Sequence, residues 1–321
     1  MRTFSAADID AALSYPALVD TLAAAFGKGA IAPPRHHHSV ALAGRPEATW
    51  LLMPAWEAQA PGAPEAGLYM GVKSVTVFPD NGTRGKPAVL GTYLLLSAET
   101  GETLAVMDAT RLTVWRTAAA SALASRSLSR PDASRMLMVG AGALAPFLVR
   151  AHCSVRPITE VMVWNRSPGR AQALVVDLAR DGIAASIADD LQGAASQADI
   201  ITTATLSPDP LIRGAWLKPG THVDSVGAYR PTMRETDDEV VRRARVYVDT
   251  RAGALSEAGD IVQPVLAGVI GKDAIAGDLY ELCRGTAPGR GSAQEITFFK
   301  SVGASIEDLA AATAVYEHHT V

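Results

Sequence analysis

The chain has 321 residues, of which 48% are apolar and 19% charged, with a formal charge of −4. That length holds two domains of ordinary size with substantial cores, and the acidic balance argues against a nucleic-acid partner. No run of about 18 apolar residues exists, so no membrane-spanning helix is expected. Met1-Arg2-Thr3-Phe4-Ser5 has no signal-peptide character, and Cys153 and Cys283 show no metal spacing, which points to a cytoplasmic protein with free thiols.

Ser5, with Asp8 three positions on, opens a first helix through an approximate capping box. A second helix covers Tyr15 to Lys28, with Pro16 in its first turn and Gly27 and Gly29 at its end. Pro33-Pro34-Arg35 then leads into His36-His37-His38. Consecutive side chains on a strand alternate faces, so at most two of these histidines could share a metal. No further Cys/His cluster supports one, and the expectation is no metal, with Arg35 pointing into a site. Thr49 to Trp56 reads as a short apolar strand stopped by Pro54, followed by a Pro/Gly/Ala-rich surface loop over 55–65. Gly67 to Phe78 reads as one long strand with Lys73 inside it. A lysine there either snorkels to solvent or serves a site. Strands over Leu90–Ser97 and Leu104–Met107 complete a mixed, largely antiparallel sheet with helices. Asp108 then opens an Ala-rich helix running to about Leu128. It carries Arg116, whose guanidinium can hold a carboxylate with two parallel hydrogen bonds.

After the linker Ser129-Arg130-Pro131-Asp132 comes Met136-Leu137-Met138-Val139-Gly140-Ala141-Gly142-Ala143-Leu144-Ala145. Four apolar residues run into G-A-G-A-L-A, a G-x-G-x-x-A form of the dinucleotide fingerprint. Gly140 permits a tight turn, Gly142 lets a pyrophosphate lie against the backbone, and Ala145 lets the helix pack close to the sheet. The free N–H groups at the helix start, around Ala141, Ala143 and Leu144, then face the phosphates. Some twenty residues on, the β-branched run Ile158–Trp164 ends in Asn165-Arg166-Ser167, where such a fold meets the adenosine ribose. An acidic residue there would favour a free 2′-hydroxyl. Arg166, flanked by the neutral Asn165 and Ser167, instead suits a 2′-phosphate, so NADP(H) is preferred and NAD(H) remains possible. A helix over Arg170–Arg180, strands from Ile183, Asp199, His222 and Arg245, and a helix over Asp189–Ala195 follow. Short apolar strands alternating with helices predict a parallel, doubly wound α/β sheet. Ligands sit outside the carboxyl ends of such strands, which places Thr203, Ala204, Thr205, Val226 and Gly227 beside the nicotinamide.

Several stretches together resemble the ornithine cyclodeaminase/μ-crystallin family of NAD(P)-dependent proteins: L-L-M-P-A (51–55), G-V-K (71–73), L-T-V-W-R-T-A-A (112–119), V-G-A-G (139–142), V-G-A-Y-R-P-T-M-R-E (226–235) and E-I-T-F-F-K-S-V-G-A-S-I-E-D-L (295–309). The resemblance covers nearly the whole chain. It implies a Rossmann-type dinucleotide domain over 119–304, and an α+β substrate-binding domain over 1–118 plus 305–321 that also builds a homodimer. The C-terminal helix returns to the first domain. By the same resemblance, Arg35, Lys73 and Arg116 surround the substrate carboxylate, Thr92 supplies a nearby hydroxyl, and Ser301, Val302 and Gly303 close over the nicotinamide.

Two departures bear on the reaction. Ornithine cyclodeaminases that this chain resembles carry an acid where Leu51 stands, and an Asp where Tyr229 stands. Leu and Tyr cannot hold an ammonium by charge, and a phenol is a poor base at neutral pH. The chain is therefore more similar to the ketimine reductases and Δ1-pyrroline-2-carboxylate reductases of the family, which implies NAD(P)H-dependent reduction of a small cyclic imino carboxylate to L-proline or L-pipecolate. Lys73 and Arg116 are the expected catalytic pair, and Tyr229 is a candidate substrate contact. The alternatives are an ornithine cyclodeaminase or alanine-dehydrogenase-like enzyme, and a non-catalytic NADPH-dependent binding protein.

Overall fold

The structure is a computed structural model that describes residues 1–57 and 68–320. The surface loop expected over 55–65 lies, from residue 58 onward, outside the described residues. The chain divides into two compact units, Met1–Thr117 with Ala304–Val321, and Ala118–Gly303.

The first unit opens with β1 (Arg2–Phe4), α1 (Ala6–Ala12) and α2 (Tyr15–Lys28). Ser5 caps α1 in a reciprocal capping box with Asp8, and α2 buries Leu18, Val19, Leu22 and Phe26 along one stripe. Then come β2 (His36–Val40), β3 (Ala48–Trp56), β4 (Tyr69–Val77), β5 (Val89–Ser97) and β6 (Thr103–Asp108). The sheet order is β1-β6-β5-β4-β3-β2, antiparallel except for the β1–β6 pair. The start of α3 (Ala109–Leu128), through Thr117, belongs to this unit. Pro54 does not stop β3, which continues to Trp56. Strand β2 ends opposite Leu52, so no ladder bond is asked of Pro54 on that edge.

Register decides which side chains share a face. Met53, Lys73, Tyr93 and Met107 are direct cross-strand partners, and all four are buried. The last helix of the chain (Ser305–His318, α11 below) packs against α2, β3, β4 and β5. Among the described residues no single helix is long and apolar enough to cross a membrane.

The second unit contains β7 (Arg135–Val139), α4 (Ala145–Val155), β8 (Glu160–Trp164), α5 (Pro168–Ala179), β9 (Ala185–Ile187), α6 (Leu191–Gln197) and β10 (Ile200–Thr203). It continues with β11 (His222–Ser225), α7 (Asp238–Arg243), β12 (Arg245–Val248), α8 (Arg251–Glu257), α9 (Gly259–Leu266), β13 (Ile275–Asp278), α10 (Leu279–Cys283) and β14 (Thr297–Lys300). All eight strands run parallel in the order β13-β12-β14-β11-β10-β7-β8-β9. Both faces are covered, so Leu137, Val139, Ile201, Val223, Val246 and Phe298 form a continuous core. This is the Rossmann-type α/β architecture. The strand order reverses at β7, with β8 on one side and β10 on the other, which marks the position where doubly wound sheets bind ligands. Strands β10 and β11 end earlier than the apolar runs suggest, at Thr203 and Ser225.

Candidate functional site

In the first unit, α11 (Ser305–His318) begins with Glu307 and Asp308 fully buried. Lys73 Nζ lies 2.9 and 2.8 Å from the two carboxylate oxygens of Asp308. Arg116 donates from Nε to Asp308 Oδ1 at 2.9 Å and from Nη1 to Glu307 Oε2 at 2.6 Å. Thr113 Oγ1, one turn before Arg116, is 3.5 Å from Lys73 Nζ. Lys73 is 2% exposed and Arg116 5%, so neither cation snorkels to solvent.

Burial lowers the Lys73 pKa first, and the charges of Arg116 and Arg35 add to it. Asp308 opposes them without prevailing, and the group falls to about 8. Burial also works against Arg116, but Asp308 and Glu307 outweigh it and hold the guanidinium charged. Asp308 itself, despite burial, is held below the usual carboxylate range by Arg116 and Lys73. Arg35, half-buried, is close enough to act on Lys73 through its charge. Three cations against two carboxylates leave the cluster one unit positive, which matches a single substrate carboxylate.

Tyr93 crosses the sheet from Lys73, and its buried hydroxyl has no hydrogen-bond partner among the described residues. A Cβ on Gly71 would meet that hydroxyl at 2.3 Å, which explains the glycine of G-V-K. Leu51 is two residues along β3 from Met53 and so lies on the Lys73 face. Thr92 does not: it pairs with Ser74 and Asp108, is exposed, and points to the opposite face. His36 and His38 share a face of the edge strand β2, both exposed, with ring centroids 6.4 Å apart. Among the described residues no group of three His, Cys, Asp or Glu side chains could hold a metal ion.

In the second unit, the fingerprint residues form an open cradle. Gly140 has φ +110°, and a Cβ there would stand 2.7 Å from Ala204 O. The first glycine is thus required by the close approach of the loops after β7 and β10. A Cβ on Gly142 would have no atom within 4 Å, so its missing side chain keeps space free rather than avoiding a clash. Helix α4 has no side-chain cap at Leu144; Ala145 N bonds Gly142 O and Pro146 has no N–H, so the expected phosphate donors narrow to the turn ahead of the helix, around Ala143 and Leu144. These features fit a dinucleotide pyrophosphate over Gly140–Leu144. Asn165 Oδ1 accepts from Ala141 N at 3.2 Å and ties the end of β8 to the turn, so the Ala141 N–H expected at the phosphates is spent within the protein. Arg166 and Ser167 are exposed beside it.

Two buried carboxylates hold the remaining segments expected beside the cofactor. Asp249 Oδ2 accepts from Val302 N at 2.8 Å, Gly303 N at 2.7 Å and Ser301 Oγ at 3.2 Å. Glu235 accepts from Thr205 N and Oγ1, from Gly227 N and from Ala228 N. These bonds are why β10 and β11 end early: the N–H groups of Thr205 and Gly227 are taken by a carboxylate rather than by a neighbouring strand. Tyr229 is half-buried, with Arg230 5.6 Å from its ring centroid. Neither thiol is an activated nucleophile, since burial pushes both Cys153 and Cys283 up to about 11.

Sequence reading missed Glu307, Asp308, Glu235 and Asp249. The signal for the first two was present: they are acids in an otherwise apolar S-I-E-D-L-A-A-A run, and buried acids need cations.

The profile of the ornithine cyclodeaminase/mu-crystallin family matches residues 4–320. The chain belongs to that family. It is 42% identical over 275 residues to a Delta(1)-pyrroline-2-carboxylate reductase of Paracoccus denitrificans, covering 85% of this chain and 84% of that protein. Among solved structures it resembles Thermococcus litoralis Delta(1)-pyrroline-2-carboxylate reductase in complex with NADH and L-proline, with TM-score 0.90, 33% identity, and coverage of 99% and 97%. It also resembles an archaeal alanine dehydrogenase dimer with bound NAD, with TM-score 0.88, 32% identity, and coverage of 99% and 95%.

Proposed function

We propose that this protein is a nicotinamide-dependent reductase of small cyclic imino acids, of the Δ1-pyrroline-2-carboxylate or Δ1-piperideine-2-carboxylate class. The observation that carries this reading is the buried Lys73–Asp308–Arg116–Glu307 cluster, neutral in itself, with Arg35 beside it as the single surplus positive charge. The names of the similar reductases support it.

The first unit serves as the substrate domain. Nε of Arg116 and one Nη1 proton are committed to Asp308 and Glu307, and its Nη2 donors are left to take the substrate carboxylate together with Arg35. Lys73, poised near pH 8, holds a proton that Asp308 keeps oriented and delivers it toward the imine nitrogen. A bound nicotinamide supplies the hydride to the C=N carbon. Residues Gly140–Leu144, Asn165–Ser167, Thr203–Thr205, Val226–Gly227 and Ser301–Gly303 of the second unit hold the cofactor. With Arg166 and no acid among Asn165-Arg166-Ser167, NADP(H) is the preferred form and NAD(H) is also accepted. Leu51 and Tyr229 supply no charge for a distal amine, which favours the reductase over a cyclodeaminase.

The homodimer forms through the sheet face opposite Lys73. There Trp50, Trp56 and Leu90 are 41%, 36% and 43% exposed, an apolar surface suited to a second copy. The archaeal dimer supports this reading.

The test is consumption of NADPH or NADH with each of the two imines, run beside ornithine with NAD and an ammonia assay. Imine reduction, faster with NADPH, is expected. Ammonia release without imine reduction would refute the assignment.

A further inference from the structure

The loops after β10 and β11 are joined by one side chain. Glu235 is fully buried and spends its two oxygens on different loops. Oε1 accepts from Thr205 N at 2.6 Å and Thr205 Oγ1 at 2.8 Å, on the β10 loop. Oε2 accepts from Gly227 N at 2.7 Å, Ala228 N at 3.3 Å and Ser225 Oγ at 3.0 Å, on the β11 loop. A carboxylate is the side chain with acceptor capacity for such a set, since an amide would present an N–H pair to one of the loops.

Glu235 is itself anchored. Asp260 Oδ1 accepts from Glu235 N at 2.9 Å, Thr236 N at 2.8 Å and Thr236 Oγ1 at 2.8 Å. Ser225 Oγ lies 3.0 Å from both Glu235 Oε2 and Asp260 Oδ2, so its one proton serves one carboxylate at a time. Lys300, fully buried, is 3.3 Å from Ser225 Oγ and 3.4 Å from Asp260 Oδ2, and balances part of the charge. The loops are in backbone contact: a Cβ on Gly227 would meet Thr205 O at 2.1 Å and Thr205 N at 2.4 Å.

Burying a carboxylate costs several kcal/mol unless its bonds are complete. Here the carboxylate is fully bonded, to the end of β11 at Ser225 and otherwise to the two loops that the proposed function sets beside the nicotinamide. We propose that Glu235 is a positioning residue for hydride transfer. It fixes the Thr205 and Gly227 loops as one rigid element, so that the nicotinamide end of the cofactor is held in register while the adenosine end is held independently by Gly140–Leu144 and Asn165–Ser167.

The inference rests on the cofactor reading above, and its test separates the two. Binding of NADH and of ADP-ribose, which lacks the nicotinamide, is measured on the full-length protein and on Glu235→Gln. In the wild type NADH binds more tightly than ADP-ribose. In Glu235→Gln the ADP-ribose Kd stays within about twofold, the NADH advantage disappears, and kcat for imine reduction falls on the order of 10²-fold, the scale for a misplaced reacting group. Parallel weakening of both ligands, or an unchanged kcat, would overturn the proposal. If Glu235→Gln does not fold, Thr205→Val, which removes a single bond to Oε1, carries the test. It should lower kcat about tenfold, a loss of ~1.4 kcal/mol, with ADP-ribose affinity kept, and wild-type kinetics would overturn the proposal. If the wild type binds NADH but reduces no imine, the reaction assignment fails while the NADH to ADP-ribose ratio still reads Glu235.

Discussion

The two units bury charge in different ways. In the first, charge meets charge: Lys73 and Arg116 share Asp308, and Arg116 also takes Glu307. In the second, the buried carboxylates Glu235 and Asp249 meet mainly backbone N–H groups. The first arrangement can change state, because burial brings the Lys73 pKa down to about 8 while Arg116 stays charged. The second spends its carboxylate oxygens on the backbone of neighbouring loops, so it fixes geometry. The proposed function uses the former for the substrate and the latter for the cofactor seat. The contrast makes the roles of the acids separable by experiment.

The largest effect is expected where the charge-on-charge cluster is broken. Arg116→Ala leaves Glu307 and Asp308 buried with one cation fewer, and breaking a buried pair costs about 3–5 kcal/mol. Urea unfolding should show that loss. Arg116→Ala is therefore not a pure test of substrate binding. Arg116→Lys keeps the charge and removes the fork, and should raise KM for the imine about tenfold, the worth of ~1.4 kcal/mol. An unchanged KM would remove Arg116 from the carboxylate site.

Glycines in the second unit sharpen the contrast between a packed seat and an open cradle. Gly227→Ala drives a Cβ into Thr205 backbone at 2.1 Å and should destabilise the fold by about 1–3 kcal/mol. Gly142→Ala meets nothing within 4 Å, so thermal stability should hold. Its methyl would occupy space meant for the pyrophosphate, and NADH affinity should fall about tenfold. Loss of stability in Gly142→Ala, with cofactor affinity intact, would contradict the cradle.

Titration probes Lys73 in the first unit. Burial lowers Lys73 from 10.5 to about 8, so between those values the unfolded chain keeps a proton that the folded chain has released. Stability is thus penalised below pH 8 and relieved as pH rises through the window. Under the proposed function activity runs the other way, because protonated Lys73 would be the donor: kcat/KM for reduction should fall above about pH 8. Asp308 raises the Lys73 pKa, so Asp308→Asn should move this alkaline limb to lower pH. A limb that stays in place would separate Lys73 from the proton transfer.

How much of this was legible in the sequence follows from range. Local signals read well: the Ser5 cap, helix α2, the fingerprint turn and the alternation of strands and helices depend on neighbours a few residues away. Lys73 and Arg116 stood out as charges in apolar runs. Their partners did not, because Asp308 lies 235 residues from Lys73 and only folding brings them together. Glu235 was hidden for the same reason, its bonds reaching back to Thr205. Pro54 misled because the absence of a partner beside it is a property of the sheet, not of the strand.

The smallest effect is expected at Thr92, where family resemblance and register disagree. A hydroxyl close to the substrate carboxylate would have to share the face of Lys73. Thr92 pairs instead with Ser74, one residue out of step with Lys73, and with Asp108 on the other side. One residue of offset on a strand reverses the face. Tyr93, the neighbour that does face Lys73, offers a buried hydroxyl with no partner among the described residues. Thr92→Val should therefore leave kcat/KM within about twofold, as surface substitutions commonly do, while Tyr93→Phe removes the hydroxyl nearest in register to the proton donor. A tenfold loss in Thr92→Val, with Tyr93→Phe unaffected, would mean that the substrate meets the opposite face of the sheet.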